Sequence, residues 1–273
     1  MKTCFCSIVL NEQEFLYQNL LQHYSLCDEW IIVEGCCKDY PTHNVTSEGL
    51  SGDATAEIIK SFPDPDNKIK FIQYGFTEKD GEHGKSELRN QYAARIEETC
   101  VVVVIDADEF YLQAQLKEII KVMKSGLYSC WRIPQLHFWR DLEHIIVGGY
   151  FNVPHNRVYN WRAPLLYEGN HNHPEFPGGP YSYEVGTYRK SDRSLNLTRK
   201  GASISVPHCF HLGFAKGSDN MRDKTDYYLN RGEKATRPET SQCREAWFNG
   251  RLPLQCEVLS WAGDLPEVFR GVE

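Results

Sequence analysis

The chain has 273 residues, 41% of them hydrophobic and 25% charged, which is enough to bury one substantial core and reads as one functional unit. Its 30 Lys and Arg against 37 Asp and Glu give a formal net charge of -7, which disfavours a protein that coats nucleic acid non-specifically, because phosphate neutralisation needs a local excess of cations. No stretch approaches the roughly 18 uninterrupted apolar residues of a membrane span, and residues 1–10 lack the features of a secretory signal, so a cytoplasmic location with ten reduced cysteines is expected.

Residues 3–10 (TCFCSIVL) read as a buried strand, and the following NEQEFLYQNLLQHY places Leu16, Leu20 and Tyr24 at helical spacing. Residues 29–34 (EWIIVE) predict a second strand, 54–62 a short helix after Asp53, and 69–74 a third strand. A helix over 85–98 leads into CVVVVI at 100–105, a β-branched run typical of a parallel strand covered on both faces. DADEF follows, then a helix over 113–124 stopped at Gly126. This alternation implies an α/β fold, a mostly parallel sheet flanked by helices, with ligands at the carboxyl ends of its strands.

Beyond residue 126 the texture becomes aromatic and rich in Pro and Gly, as in NHNHPEFPGGPYSYE, which predicts loops and short antiparallel strands. From 218 to 273, charged helical stretches interrupted by Pro238, Pro253 and Pro266 predict a small helical extension. The chemistry concentrates at the strongest strand. Asp106 and Asp108 lie two residues apart where VVVVI ends, so in extended geometry their side chains share a face. Carboxylate oxygens suit Mg²⁺ or Mn²⁺, and one or two are enough when a substrate diphosphate supplies further ligands. Lys85 and Arg89, one helical turn apart, can face a single anion together.

The blocks SIVLNEQEFL, DEWIIVEG, ELRNQYA and VVVVIDADEF resemble, in order and spacing, the successive blocks of family 2-like GT-A glycosyltransferases. The resemblance covers residues 3–125 well and the second half more loosely, through HNHPE and HCFHLGFAK. It implies a GT-A domain over 1–217, with a nucleotide-sugar half at 1–125 and an acceptor half at 126–217, followed by the extension at 218–273. It also implies a metal-dependent transfer of sugar from a nucleotide-diphosphate sugar to a hydroxyl of a glycan, lipid-linked glycan, protein or modified nucleic-acid base, with inversion. Asn11, Glu12 and Glu34 would border the nucleotide, with Asp39 near it. Arg89 would face the diphosphate, Asp106 would sit near ribose and metal, Asp108 would bind the metal, and His211, before a Gly-aromatic pair, would be a further metal contact. The second block departs from the family pattern, reading Glu34-Gly35-Cys36-Cys37-Lys38-Asp39 where a Gly-Ser-Thr-Asp run is common.

Inverting transfer needs a general base for the acceptor hydroxyl, and Glu175, clustered with His171 and His173, is the candidate. Two other readings compete. Gly84-Lys85-Ser86 with VVVVID mimics a P-loop nucleotide hydrolase or kinase, but the first glycine of that loop falls on Lys79. A non-catalytic binder of nucleotide-sugar or carbohydrate would keep the cation site without turnover. A Rossmann dehydrogenase lacks its glycine fingerprint after the first strand.

Overall fold

The apolar runs of the first hundred residues form the centre of a mixed sheet. In the computed structural model the chain passes through β1 (Thr3–Val9), α1 (Leu16–His23), β2 (Glu29–Cys36), α2 (Thr55–Ser61), β3 (Ile69–Phe76), α3 (Gly81–Ala93), β4 (Cys100–Val104), β5 (Glu109–Phe110) and α4 (Gln113–Lys124). It continues through β6 (Cys130–Trp139), β7 (His144–Gly148), β8 (Pro154–Trp161), β9 (Leu166–Tyr167), β10 (Pro174–Glu175), β11 (Val185–Gly186), β12 (Asn196–Thr198), β13 (Gly201–Ser203), β14 (Cys209–Phe214), α5 (Ser218–Asn230) and β15 (Cys256–Ser260). The structure describes residues 1–40, 44–148, 151, 154–161, 166–168, 174–175, 185–186, 196–198, 201–203, 206–230, 247–249, 252 and 255–269.

The main sheet runs β15-β7-β6-β8-β4-β1-β2-β3. The four strands from β3 to β4 are parallel to their neighbours, while β8, β6, β7 and β15 extend the sheet antiparallel. Period-two alternation divides the parallel strands between two cores. Phe5, Val101 and Val103 pack with Leu16 of α1 and Leu116 and Ile119 of α4, whereas Cys4, Cys6, Val102 and Val104 pack with Leu88 and Tyr92 of α3. Both faces of β1 and β4 are covered, which is why β4 is apolar throughout and the polar residues of β1, Thr3 and Ser7, are buried, with Ser7 Oγ donating to Ile105 O.

Three features differ from the sequence reading. Helix α3 begins at Gly81 rather than 85, with the Gly81 amide donating to Asp39 Oδ1 at 3.0 Å, and ends at Ala93 rather than 98. Its end is set by tight turns that tuck Ile96 into the α3-side core. The second half contains longer strands than expected, the ten-residue β6 and the eight-residue β8. Strand β6 changes partners at Pro134, pairing with β8 up to that residue and with β14 from Gln135 onward, a suitable place for a residue without a backbone donor. Finally, the segment expected as a helical extension supplies α5 but also β15, which pairs antiparallel with β7 and covers that strand's open edge. Among the described residues no helix is long and apolar enough to cross a membrane, and the nine cysteines are free thiols.

Candidate active site

The carboxyl ends of β1, β2 and β4 open into a cavity of about 270 Å³, lined also by α3, α5 and the turn after β14. This is where a parallel sheet presents its ligand site. Asp106 and Asp108 both line it, as the strand-end spacing predicts, yet their carboxylates face different groups.

Asp106 faces arginines. Arg89 Nη2 of α3 lies 3.4 Å from its Oδ1, and Arg157 Nη2 of β8 donates to its Oδ2 at 3.0 Å. Arg157 reaches this point because β8 pairs with β4 at Val158–Val103, one residue away. The same guanidinium pairs with Glu109, which is fully buried and also accepts from Gln135 of β6. Burial pushes the Glu109 carboxyl up to about 8 despite Arg157. Arg89 Nη1 donates to Tyr92 Oη at 3.1 Å, and Arg89 lies 5.9 Å from the Tyr167 ring centroid.

Asp108 faces lysines and a histidine. Its Oδ2 meets Lys216 Nζ at 3.1 Å and Lys224 Nζ at 3.8 Å, and its Oδ1 lies 3.8 Å from His211 Nε2. Burial opposes its ionisation, but Lys216, His211 and Lys224 together hold the carboxyl well below the usual range. Lys216 also donates to Glu12 Oε2 at 2.7 Å, and burial raises Glu12 to about 7. Strand β14 delivers His211, since it pairs antiparallel with β5 at His211–Glu109 and the Leu212 amide donates to Asp108 O at 2.8 Å. Gly213 leaves the space these groups need. A Cβ there would overlap His211 Cε1 and Lys224 Nζ and lie 3.0 Å from Asp108 Oδ2.

The remaining expected residues divide. Asn11 and Glu12 line the cavity, Asn11 in the left-handed region (φ 53) with its side chain bonded to Asn44 O and the Gly52 amide. Lys85 and Arg89 line it together. Glu34 does not. It is fully buried, accepting from the Ser51 amide at 3.0 Å and Gln73 Nε2 at 2.9 Å, so it anchors the loop after β2. Asp39 holds the start of α3 through Gly81 and lies outside the cavity lining. His208 is a core residue, its Nδ1 on Val206 O at 2.7 Å and its ring against Phe210. The backbone of Glu175 pairs with Leu166, next to Tyr167, whose backbone is held by Asn90 of α3. His171 and His173 lie outside the described residues. Gly84-Lys85-Ser86 sits inside α3, where Gly84 packs against Lys79 O and Thr77 and Ser86 Oγ donates to Glu82 O, so no phosphate loop precedes it.

Sequence reading missed Arg157, His137, Lys216, Lys224 and the α5 residues Asn220, Asp223 and Tyr227. Of these, only Lys216 had a local signal, in the HCFHLGFAK block.

No group of three His, Cys, Asp or Glu converges as a metal site among the described residues. A hard cation held partly by substrate phosphate needs fewer protein donors, and Asp108 Oδ1 with His211 Nε2 supplies two that fit Mn²⁺ or Mg²⁺. His137 Nδ1 lies 2.9 Å from His211 Nδ1. With His211 donating from Nδ1, the Nε2 lone pair faces Asp108. Burial lowers His211 to about 4 and holds His137 well below its ordinary value, so both rings are neutral near pH 7.

No protein family model matches the chain, and no curated protein does. Among solved structures, it is similar to residues 1–349 of S. aureus TarS in complex with UDP, with TM-score 0.44 and 12% identity over 92% of this chain and 73% of that one. The same TarS fragment in complex with UDP-GlcNAc gives TM-score 0.40 and 13% identity over 91% and 73%. A further structure of that fragment gives 0.42 and 12% over 91% and 72%.

Proposed function

We propose that the protein is a GT-A-type glycosyltransferase that moves a sugar from a nucleotide-diphosphate sugar to an acceptor hydroxyl. The observation that carries this reading is a single cavity at the end of the buried β4 strand, lined by Asp106 and Asp108 and by the cations Lys85, Arg89, Lys216 and Lys224. Carboxylates there serve a cation or ribose hydroxyls, and the basic groups serve phosphate oxygens.

Asp108 and His211 would hold Mn²⁺ or Mg²⁺, which when bound supplies charge neutralisation at the leaving diphosphate. Arg89, fixed by Tyr92 and Asp106, faces the same negative charge as it develops, the kind of preorganised stabilisation expected to contribute most to the rate. Asp106, held by Arg89 and Arg157, accepts from ribose hydroxyls and can share the cation. Asn11 and Glu12 border the nucleotide. In a single displacement the acceptor oxygen bonds the anomeric carbon as the bond to the diphosphate oxygen breaks, inverting that centre. Glu175 takes the hydroxyl proton, and its strand adjoins Tyr167 beside Arg89. The acceptor is a glycan, a lipid-linked glycan, a protein or a modified nucleic-acid base. We assign residues 1–125 to the donor and 126–217 to the acceptor, with His211 and Lys216 of the second part reaching the donor cavity and the region from 218 closing it through α5.

A thermal-shift screen of UDP-, GDP-, dTDP- and CMP-sugars, each with and without Mn²⁺, tests the reading. Stabilisation by one nucleotide class, larger with Mn²⁺, is expected, and a flat response to all of them would refute it. Release of nucleoside diphosphate in the absence of acceptor separates an enzyme from a non-catalytic binder.

A further inference from the structure

Two ammonium groups converge on one carboxylate oxygen. Lys216 Nζ, from the turn after β14, and Lys224 Nζ, from α5, lie 3.1 and 3.8 Å from Asp108 Oδ2. Lys216 is secured by its second bond to Glu12, and Lys224 by donation to Gly213 O at 3.2 Å. Each ammonium carries three donor protons, so both retain donors after these contacts, and both line the cavity. The absence of a side chain at Gly213 permits this approach, since a Cβ there would overlap Lys224 Nζ. A carboxylate closed off for structural reasons would be satisfied by Lys216 alone. A second lysine, with its side chain 25% exposed at the cavity wall, lies 3.8 Å from the same oxygen, beyond hydrogen-bond distance, and so keeps donors for a ligand.

We propose that Lys216 and Lys224 form a diphosphate-binding ammonium pair that acts on phosphate oxygens directly, so that the cavity binds a diphosphate even without a divalent cation. This rests on the donor-pocket reading above and adds to it a second source of positive charge in the cavity besides Lys85 and Arg89. Asp108 then has two duties, one oxygen toward the cation site and His211, the other toward the lysines.

The test is calorimetric titration of the full chain with inorganic pyrophosphate, a probe independent of base and sugar, in EDTA and in Mn²⁺. Binding in EDTA is expected, weakened about tenfold by Lys224→Met, the loss for roughly one charge-assisted hydrogen bond, and retained by Lys224→Arg. Lys224 is the lead position because its removal leaves Asp108 paired with Lys216, so the fold is kept. Asp108→Asn should weaken the Mn²⁺-supported binding more than the binding in EDTA, because it removes a cation ligand while both lysines remain. Pyrophosphate binding that requires Mn²⁺ and ignores Lys224→Met overturns the lysine pair but leaves the metal-dependent donor reading standing. Failure to bind under either condition overturns both.

Discussion

Asp106 and Asp108 are separated by one residue, line one cavity and are built into opposite kinds of surroundings. Asp106 is held by guanidiniums in a network that continues inward to Glu109 and Gln135, where planar, multidentate donors fix geometry. Asp108 is met by point charges and a neutral imidazole, on side chains from β14, the turn after it and α5. The comparison teaches that two carboxylates of one motif need not share a role. In the proposed function, the arginine side fixes the floor of the cavity and the lysine and histidine side meets the ligand.

The sharpest break is Arg157→Met on the arginine side. It leaves the buried Glu109 carboxyl without its guanidinium donor and removes one partner of Asp106, so a loss of about 3–5 kcal/mol in unfolding free energy is expected from urea titration. Glu109→Gln, which keeps hydrogen-bonding capacity and leaves Arg157 paired with Asp106, should cost clearly less. Next in size is Asp108→Asn, expected to lower turnover roughly 10²–10³-fold, about 2.7–4 kcal/mol, as a lost electrostatic stabiliser does. Asp106→Asn should lower it only about tenfold, because Arg157 remains paired with Glu109. Equal losses from the two would erase the division of roles. Gly213→Ala sharpens the comparison further. Its methyl group would press first on His211, Lys224 and Asp108, so an overpacking cost of roughly 1–3 kcal/mol should accompany weakened Mn²⁺ binding, read by the electron paramagnetic resonance of the free ion.

The pH dependence sums several buried groups of opposite sign. Burial lowers His23 to about 3 and His208 and His211 to about 4, and lowers His137 as well. These rings stay neutral in the folded chain while the unfolded chain protonates near pH 6.5. Their contribution is therefore complete above pH 6.5 and is lost as pH falls toward 4, by about 1.4 kcal/mol per pH unit per histidine. Glu12 and Glu109, raised by burial to about 7 and about 8, act in the opposite sense, losing stability as pH rises from 4.5 through those values. The four histidines outnumber the two glutamates, so melting temperature should fall between pH 6.5 and 4.5. A rise on acidification would mean that the histidines are charged in the folded protein.

The first half was legible because its signals are local. Buried parallel strands must be apolar at every position, and the helices between them show their faces through spacing, as Leu16 and Leu20 do on α1. Helix α3 was displaced by four residues because its start depends on Asp39, 42 positions away in sequence and adjacent only in the fold. Glu34 looked like a ligand contact from its place at a strand end, but a register shift between β2 and β3 at that residue and the loop through Ser51 turn it inward.

By itself, the sequence determined the α/β class, the position of the strong central strand and the two aspartates at its end, all consequences of short-range periodicity and of apolar residues that must leave water. Only the tertiary structure decided which cations those aspartates meet. Arg157 is 51 residues from Asp106, and Lys216 is 204 from Glu12. They come together because β8 pairs with β4 and β14 with β5 and β6, and no local pattern encodes a strand's partner, since pairing is selected by packing of the whole sheet.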